Sequence, residues 1–233
     1  PEAVPSFIEG LCRERDLEGR KILISAGPTR EHIDPVRYFS NPSTGKMGYA
    51  LAEAAKDRGA EVTLVSGPSS LEAPIGVQAV RVGSAEQMLE VLANHFTKTD
   101  MLIMTAAVAD WRPVKKMTQK VAKHGERLTI DFVRNPDILL RLMGCRDQQV
   151  MIGFSMETSE GLSRAAAKAR DKGLNFICLN YLLHDDIPFG SDFNKITIVR
   201  PNGDYEELPK LPKRRLADEI LDRGAPYLVD VNR

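Results

Sequence analysis

The residues with the most chemical capacity crowd into one stretch, 25-SAGPTREHIDPVRYFSNPSTGKMGYALAEAA-55, in which Arg30, Arg37 and Asn41 lead into 43-STGKMG-48. Guanidinium groups grip carboxylates and phosphates through paired N–H donors. Glycines at a helix start let backbone amides approach an anion closely, without any side-chain charge. The plainer alternative is a tight entry turn before an alanine-rich core helix, and the two arginines and Asn41 beside it favour the anion site. A second cationic cluster, 115-KKMTQKVAK-123, follows Asp110 in 106-AAVADWRP-113; on its own it reads as a solvated basic loop. Asn135-Pro136-Asp137 reads as a helix start, with Asn135 as N-cap and Pro136 in the first helical position.

Two familiar phosphate loops do not fit. A P-loop needs glycine five residues before the Gly-Lys pair and Ser or Thr after it, whereas Gly45-Lys46 has Ser40 and Met47 in those places. A dinucleotide fingerprint needs GxGxxG straight after the first strand and an acid at the end of the second. Here AGPTRE follows KILIS and SGPSS follows EVTLV, so a nicotinamide dehydrogenase is disfavoured.

The elements that must position these residues alternate along the chain. KILIS (21–25), EVTLV (61–65), VQAVRV (77–82), DMLIMTAA (100–107), QVMIGFSM (149–156) and NFICLN (175–180) read as strands. Helices are expected over 46–59, closed by Gly59, then after a Ser84/Gln87 capping box, over about 136–144, over about 159–172, and in the tail LPKRRLADEILDRG. This order predicts a three-layer, Rossmann-like α/β fold with a mostly parallel sheet, forming a single domain over 1–233. Ligands in such folds lie beyond the carboxyl ends of the strands, which places SAGPTR, TAAVADWRP, GFSMET and CLNY at one rim. Two pieces break the alternation. Residues 111–133 form a basic loop, expected as a flap, that ends in the strand-like LTIDFV. Residues 191–208 form a hairpin turning at Asn202-Gly203, expected at an edge or dimer contact.

Composition excludes several classes. Lys+Arg and Asp+Glu balance at 32 each, which disfavours a nucleic-acid binder. No apolar run is long enough for a membrane span. Cys12, Cys145 and Cys178 are odd in number and widely spaced, so they read as reduced thiols of a cytoplasmic protein rather than disulfide or zinc ligands, and Cys178 as core. His32, His95, His124 and His184 share no ligand spacing.

The ordered motifs SAGPTRExIDPVRYxSNxSxGKMG, AAVADWRP, the Lys-rich segment before LTIDFVRNPDIL, GFSMET and FGSDFNKITIV closely resemble the phosphopantothenate–cysteine ligase family, from about Lys21 to about Leu221. That family occurs free-standing or as the C-terminal half of the bifunctional bacterial coenzyme A enzyme. The resemblance implies a homodimer that activates the 4′-phosphopantothenate carboxylate with CTP or ATP, carried with Mg²⁺, and then transfers the acyl group to cysteine. Bacterial-type motif spacing favours CTP. It further implies a flavin-dependent decarboxylase as fused or associated partner, and neither nucleic acid nor membrane as a partner.

By the same resemblance Asn41 guards the acyl-nucleotide and Arg37 holds the substrate anion. Lys120, the first Lys of the family's KIKK pattern, serves the triphosphate, while Ala122 departs from that pattern. Nucleotide contacts fall to Gly27, Ser43, Thr44, Gly45, Met104, Thr105, Ala106, Asp110, Pro136, Asp137, Ile138, Leu139, Phe154, Lys168 and Lys172, with Asp110 the candidate Mg²⁺ ligand. The competing readings are a nucleotide-binding regulatory module and a structural dimer partner, neither of which would release pyrophosphate.

Overall fold

The computed structural model describes residues 14–122, 127–157, 160–181 and 189–229. The first strand, β1 (Lys21–Ala26), is followed by a short antiparallel ribbon, β2 (Arg30–His32) with β3 (Tyr38–Ser40), and then by helix α1 (Lys46–Asp57). Next come β4 (Glu61–Ser66), β5 (Gln78–Arg81), α2 (Ala85–Phe96) and β6 (Met101–Met104). A second ribbon pairs β7 (Trp111–Pro113) with β8 (Phe132–Arg134) and leads into α3 (Ile138–Met143). The chain continues through β9 (Val150–Glu157), α4 (Gly161–Asp171), β10 (Phe176–Tyr181), β11 (Phe193–Asn194), β12 (Thr197–Val199), β13 (Tyr205–Glu207), β14 (Leu211–Pro212) and α5 (Lys213–Gly224).

One eight-stranded sheet runs β13-β12-β10-β9-β6-β1-β4-β5. Its six central pairings from β10 to β5 are all parallel, and β12 and β13 add an antiparallel hairpin at one edge. Because β1 lies in the middle, the chain builds outward through β4 and β5, then returns to build outward through β6, β9 and β10. The order therefore reverses between β1 and β6, the crevice where such sheets bind ligands.

Burial on both faces explains why β1, β6, β9 and β10 are almost unbroken apolar runs. On one face α1 and α5 pack over Ile22, Ile24, Ile103, Ile152 and Cys178. On the other, α2, α3 and α4 cover Leu23, Leu102, Met151, Ile177 and Leu179. Cys178 is core, as expected, and burial pushes its thiol well above the ordinary range. Gly48 permits the closest approach of α1 to the sheet. A Cβ there would stand 2.5 Å from the Ala26 Cβ and 2.6 Å from Thr105 Oγ1, so any larger residue would lift the helix start off the sheet.

Three expectations need correction. The long connection after β1 contains the β2–β3 ribbon, which its charged residues concealed. The strand expected over 128–133 pairs only from Phe132. Asp137, not Asn135, caps α3: its side chain accepts from the Leu140 amide at 3.2 Å, and the helix begins at Ile138 rather than Pro136. Asn135 is instead drawn to the sheet, donating to the Ala109 carbonyl at 2.8 Å and accepting from Arg112 at 3.2 Å.

Candidate functional site

A cavity of about 880 Å³ opens at the β1–β6 crevice. Three chain segments make its walls, and short hydrogen bonds fix their relation. The end of β6 is tied to β1 by Thr105 Oγ1 donating to the Ser25 carbonyl at 2.6 Å and by the Ala106 amide donating to Ser25 Oγ at 3.1 Å. The Ala107 amide then donates to the Gly27 carbonyl at 2.9 Å. Asn41 closes the arrangement, its Nδ2 donating to the carbonyls of Ala107 and Val108, each at 3.2 Å. Both donors of that amide are thereby used on the loop after β6, which leaves its oxygen as the acceptor at the cavity wall.

Residues 43–48 form the second wall. Gly45 caps α1 with a left-handed φ of 84° and no side-chain cap. The first-turn amides of α1 consequently face the cavity uncapped, with the positive end of the helix dipole behind them. Lys46, at the same turn, pairs with Asp192 at 2.6 Å and donates to the Gly190 carbonyl at 2.7 Å.

The third wall comes from α3, β9 and α4. Asp137 pairs with Lys172 at 2.7 Å. Burial alone would raise the Asp137 carboxyl, but Lys172 and the Leu140 and Leu139 amides outweigh it and hold the group below the ordinary carboxylate range. Burial, followed by repulsion from Lys172, lowers the Lys168 ammonium, although Glu157, Asp110 and Asp137 oppose that shift. Two ammonium groups one helical turn apart, partly stripped of water, form a receptor for anionic ligand groups.

Of the residues singled out from the sequence, Asn41, Ser43, Thr44, Gly45, Met104, Thr105, Ala106, Asp110, Pro136, Asp137, Ile138, Leu139, Phe154, Lys168 and Lys172 all line this one cavity. Three do not. Gly27 packs under Gly45, Arg37 is ion-paired with Asp34 at 3.2 Å, and Lys120 lies exposed on the basic segment.

Sequence reasoning missed Lys213, Asn180 and Asn194, which also line the cavity. Lys213 sits in KRRLADEI, where it resembles any solvated lysine, yet it is only 7% exposed and its ammonium donates to the Ser191 carbonyl. Asn194 donates to Asn180 Oδ1 at 2.7 Å. The position of Asn180 at the end of β10 was the available signal for that pair.

The profile of the DNA/pantothenate metabolism flavoprotein C-terminal domain matches residues 17–227. This chain belongs to that family. Within it, the chain is 42% identical over 226 residues to the coenzyme A biosynthesis bifunctional protein CoaBC of Vibrio parahaemolyticus serotype O3:K6, covering 96% of this chain and 56% of that protein. It is 43% identical over 210 residues to the protein of the same name from Bacillus subtilis (strain 168), covering 90% of this chain and 52% of that protein. The chain thus spans about half the length of the curated relatives it matches. A crystal structure of the C-terminal domain of CoaBC superposes with a TM-score of 0.79 at 43% identity, covering 94% of this chain and 100% of that one. The flavoprotein C-terminal domain family is the one that the SAGPTRE-to-GKMG and GFSMET motifs resemble, so that expectation is borne out.

Proposed function

We propose that this chain joins 4′-phosphopantothenate to L-cysteine in coenzyme A biosynthesis, with CTP as the activating nucleotide. The observation that carries the reading is the single crevice in which an uncapped helix start, Asn41, the β6 loop and the α4 lysines converge. Its volume of about 880 Å³ is large for one small molecule, which fits the simultaneous presence of nucleotide and acid.

The chemistry needs this arrangement. A substrate carboxylate oxygen attacks the α-phosphorus, the α–β P–O bond breaks, and pyrophosphate leaves. The cysteine amine then attacks the acyl carbon, its proton is lost, and CMP departs. Bringing two anions within about 4 Å costs roughly 4 kcal/mol at a surface-like dielectric. Fixed amide dipoles and ammonium groups offset that cost, and they act most strongly as charge develops on the leaving group.

The carboxylates among the described lining residues are Asp110 and Asp137, and Asp137 is already paired with Lys172. No group of three potential ligands occurs among the described residues. This donor set fits an Mg²⁺ carried on the triphosphate and touched by Asp110, and it does not fit a protein-only cage. When bound, the ion would neutralise phosphate charge.

Lys168 gives the site a pH signature. A phosphate bound beside it would raise its lowered pKa. Affinity for nucleotide should therefore be full at neutral pH and fall as pH rises through the lysine's lowered value, levelling off above the raised value of the complex. Calorimetric titration of CTP from pH 7 to alkaline conditions should show that fall in the wild type and lose it in Lys168→Arg. An equal fall in both would remove Lys168 from the contact.

A homodimer and a flavin-dependent decarboxylase, fused or docked, complete the proposal, with the cytoplasm as the compartment. The bifunctional names of the relatives support the decarboxylase link. No described helix is long and apolar enough to cross a membrane. Exposed Val36, Tyr38, Val114 and Val133 on or beside the two ribbons supply an apolar face for self-association. The 191–208 hairpin carries charged Glu206, Glu207 and Arg200, which makes the ribbons the better contact. Sedimentation should return the mass of two chains, and a monomer would exclude the pairing.

The activity itself is tested by incubating the chain with 4′-phosphopantothenate, cysteine and Mg²⁺ with either CTP or ATP. Cysteine-dependent nucleoside monophosphate and pyrophosphate, faster with CTP, are the expected products. No cysteine-dependent turnover with either nucleotide would refute the ligase reading.

A further inference from the structure

Asp34 is wholly buried in the turn between β2 and β3, yet it belongs to none of the cavity walls. One of its oxygens has a local role. Oδ1 accepts from the amides of Val36 at 2.8 Å and Arg37 at 2.7 Å, an Asx-type turn that reverses the ribbon around Pro35. The other oxygen reaches across the fold. Oδ2 accepts from Arg37 Nη1 at 3.2 Å and from the amide of Val121, eighty-seven residues away, at 3.1 Å. The same Arg37 Nη1 donates to the Val121 carbonyl at 3.3 Å. The Asp34–Arg37 pair thus holds both the N–H and the C=O of Val121. A further stitch, the Met117 amide donating to the Ile33 carbonyl at 2.8 Å, fixes the segment one turn earlier.

The residue just before the clamped one is Lys120, exposed and tethered only through its backbone. A long lysine side chain on an unanchored loop would sample many positions, and ordering it at the moment of reaction costs conformational entropy. A backbone clamp on the adjacent residue removes most of that cost in advance. The charge on the carboxylate matters, because its two-acceptor geometry satisfies a backbone donor and a guanidinium together. Burial would raise the Asp34 carboxyl, but the Val36, Val121 and Arg37 amides and the Arg37 charge hold it below the ordinary range, so it stays ionised for this task.

We infer that Asp34 is a positioning residue that, with Arg37, clamps the backbone of Val121 and so sets the place from which Lys120 serves the reaction. The inference rests on the ligase reading for the role of Lys120, but the clamp has a readout that needs no ligase activity. In Asp34→Asn the side-chain nitrogen can donate but not accept, so it confronts the Val121 N–H and the Arg37 guanidinium with a donor.

Tryptic cleavage after Lys115, Lys116 and Lys120, normalised to cleavage after Arg15, should quicken about ten-fold or more in Asp34→Asn, as expected for losing hydrogen bonds to a charged acceptor in a local opening reaction. The ratio kcat/KM for nucleotide should fall about ten-fold in the wild-type background and change less than about two-fold when added to Lys120→Ala, since the two residues act as one unit. If Asp34→Asn does not fold, Val121→Pro removes the clamped N–H while leaving the Asp34 turn intact, and it should give the same release and the same coupling. An unchanged cleavage rate in a folded variant overturns the clamp. Equal losses in both backgrounds overturn its action through Lys120. Absence of all ligase turnover, with accelerated cleavage, would count against the ligase reading while leaving the clamp standing.

Discussion

Asn41→Asp is expected to lower overall turnover about 100- to 1000-fold, on the order of 3–4 kcal/mol, while the acyl-nucleotide builds up on the protein. The reason lies in what Asn41 holds. Its nitrogen donates to the Ala107 and Val108 carbonyls at 3.2 Å each, which shapes the loop after β6, and its oxygen remains to accept from an incoming amine. Aspartate has no N–H, so it sets a negative oxygen against two carbonyl oxygens at that distance. It also offers a nucleophile beside a mixed anhydride, which an amide does not. Formation of the acyl-nucleotide depends chiefly on the cationic and amide walls and should be slowed less than the second half-reaction. Rapid-quench analysis with labelled nucleotide would resolve the two steps. An unchanged overall rate would remove Asn41 from the mechanism.

Lys120→Ala should lower kcat/KM for nucleotide by about 100-fold or more, near the effect of deleting one preorganised transition-state contact. The side chain is exposed and outside the cavity lining, so folding stability should change little. Its ammonium is worth most against the charge that gathers on departing pyrophosphate, so the loss should fall on pyrophosphate release in a single turnover. Lys120→Arg should recover part of the rate, because it keeps the charge with altered geometry. If Lys120→Ala leaves single-turnover pyrophosphate release at the wild-type rate, the basic segment is a solvated surface loop.

Sequence reasoning located the sheet well because buried parallel strands carry their own signal: MLIM in β6 and FICL in β10 can lie only in an interior. The Ser84/Gln87 spacing marked α2 for a local reason, and both halves of its capping box are formed. The carboxyl-end rule then gathered most of the site from strand ends alone.

What failed was tertiary. The turn Asn135-Pro136-Asp137 offers two good caps, and local propensity cannot show that the Ala109 carbonyl and Arg112 claim Asn135, leaving Asp137 to α3. The three-residue strands of the two ribbons are too short and too exposed for periodicity to reveal them. Arg37 has the forked cation suited to an anionic substrate, but a buried aspartate three residues earlier engages it. That contact depends on how the β2–β3 turn meets the basic segment, and no spacing in either stretch encodes it. Lys213 was invisible for a related reason: its burial is created by the chain folding over it near Ser191.

The most direct test of the account is to supply Mg²⁺-CTP and 4′-phosphopantothenate without cysteine and to follow pyrophosphate and CMP separately. A crevice that makes and shields an energised acid should release about one pyrophosphate per site in a burst, with almost no free CMP until cysteine is added. Pyrophosphate that appears only after cysteine, or CMP that accumulates steadily without it, would contradict the account.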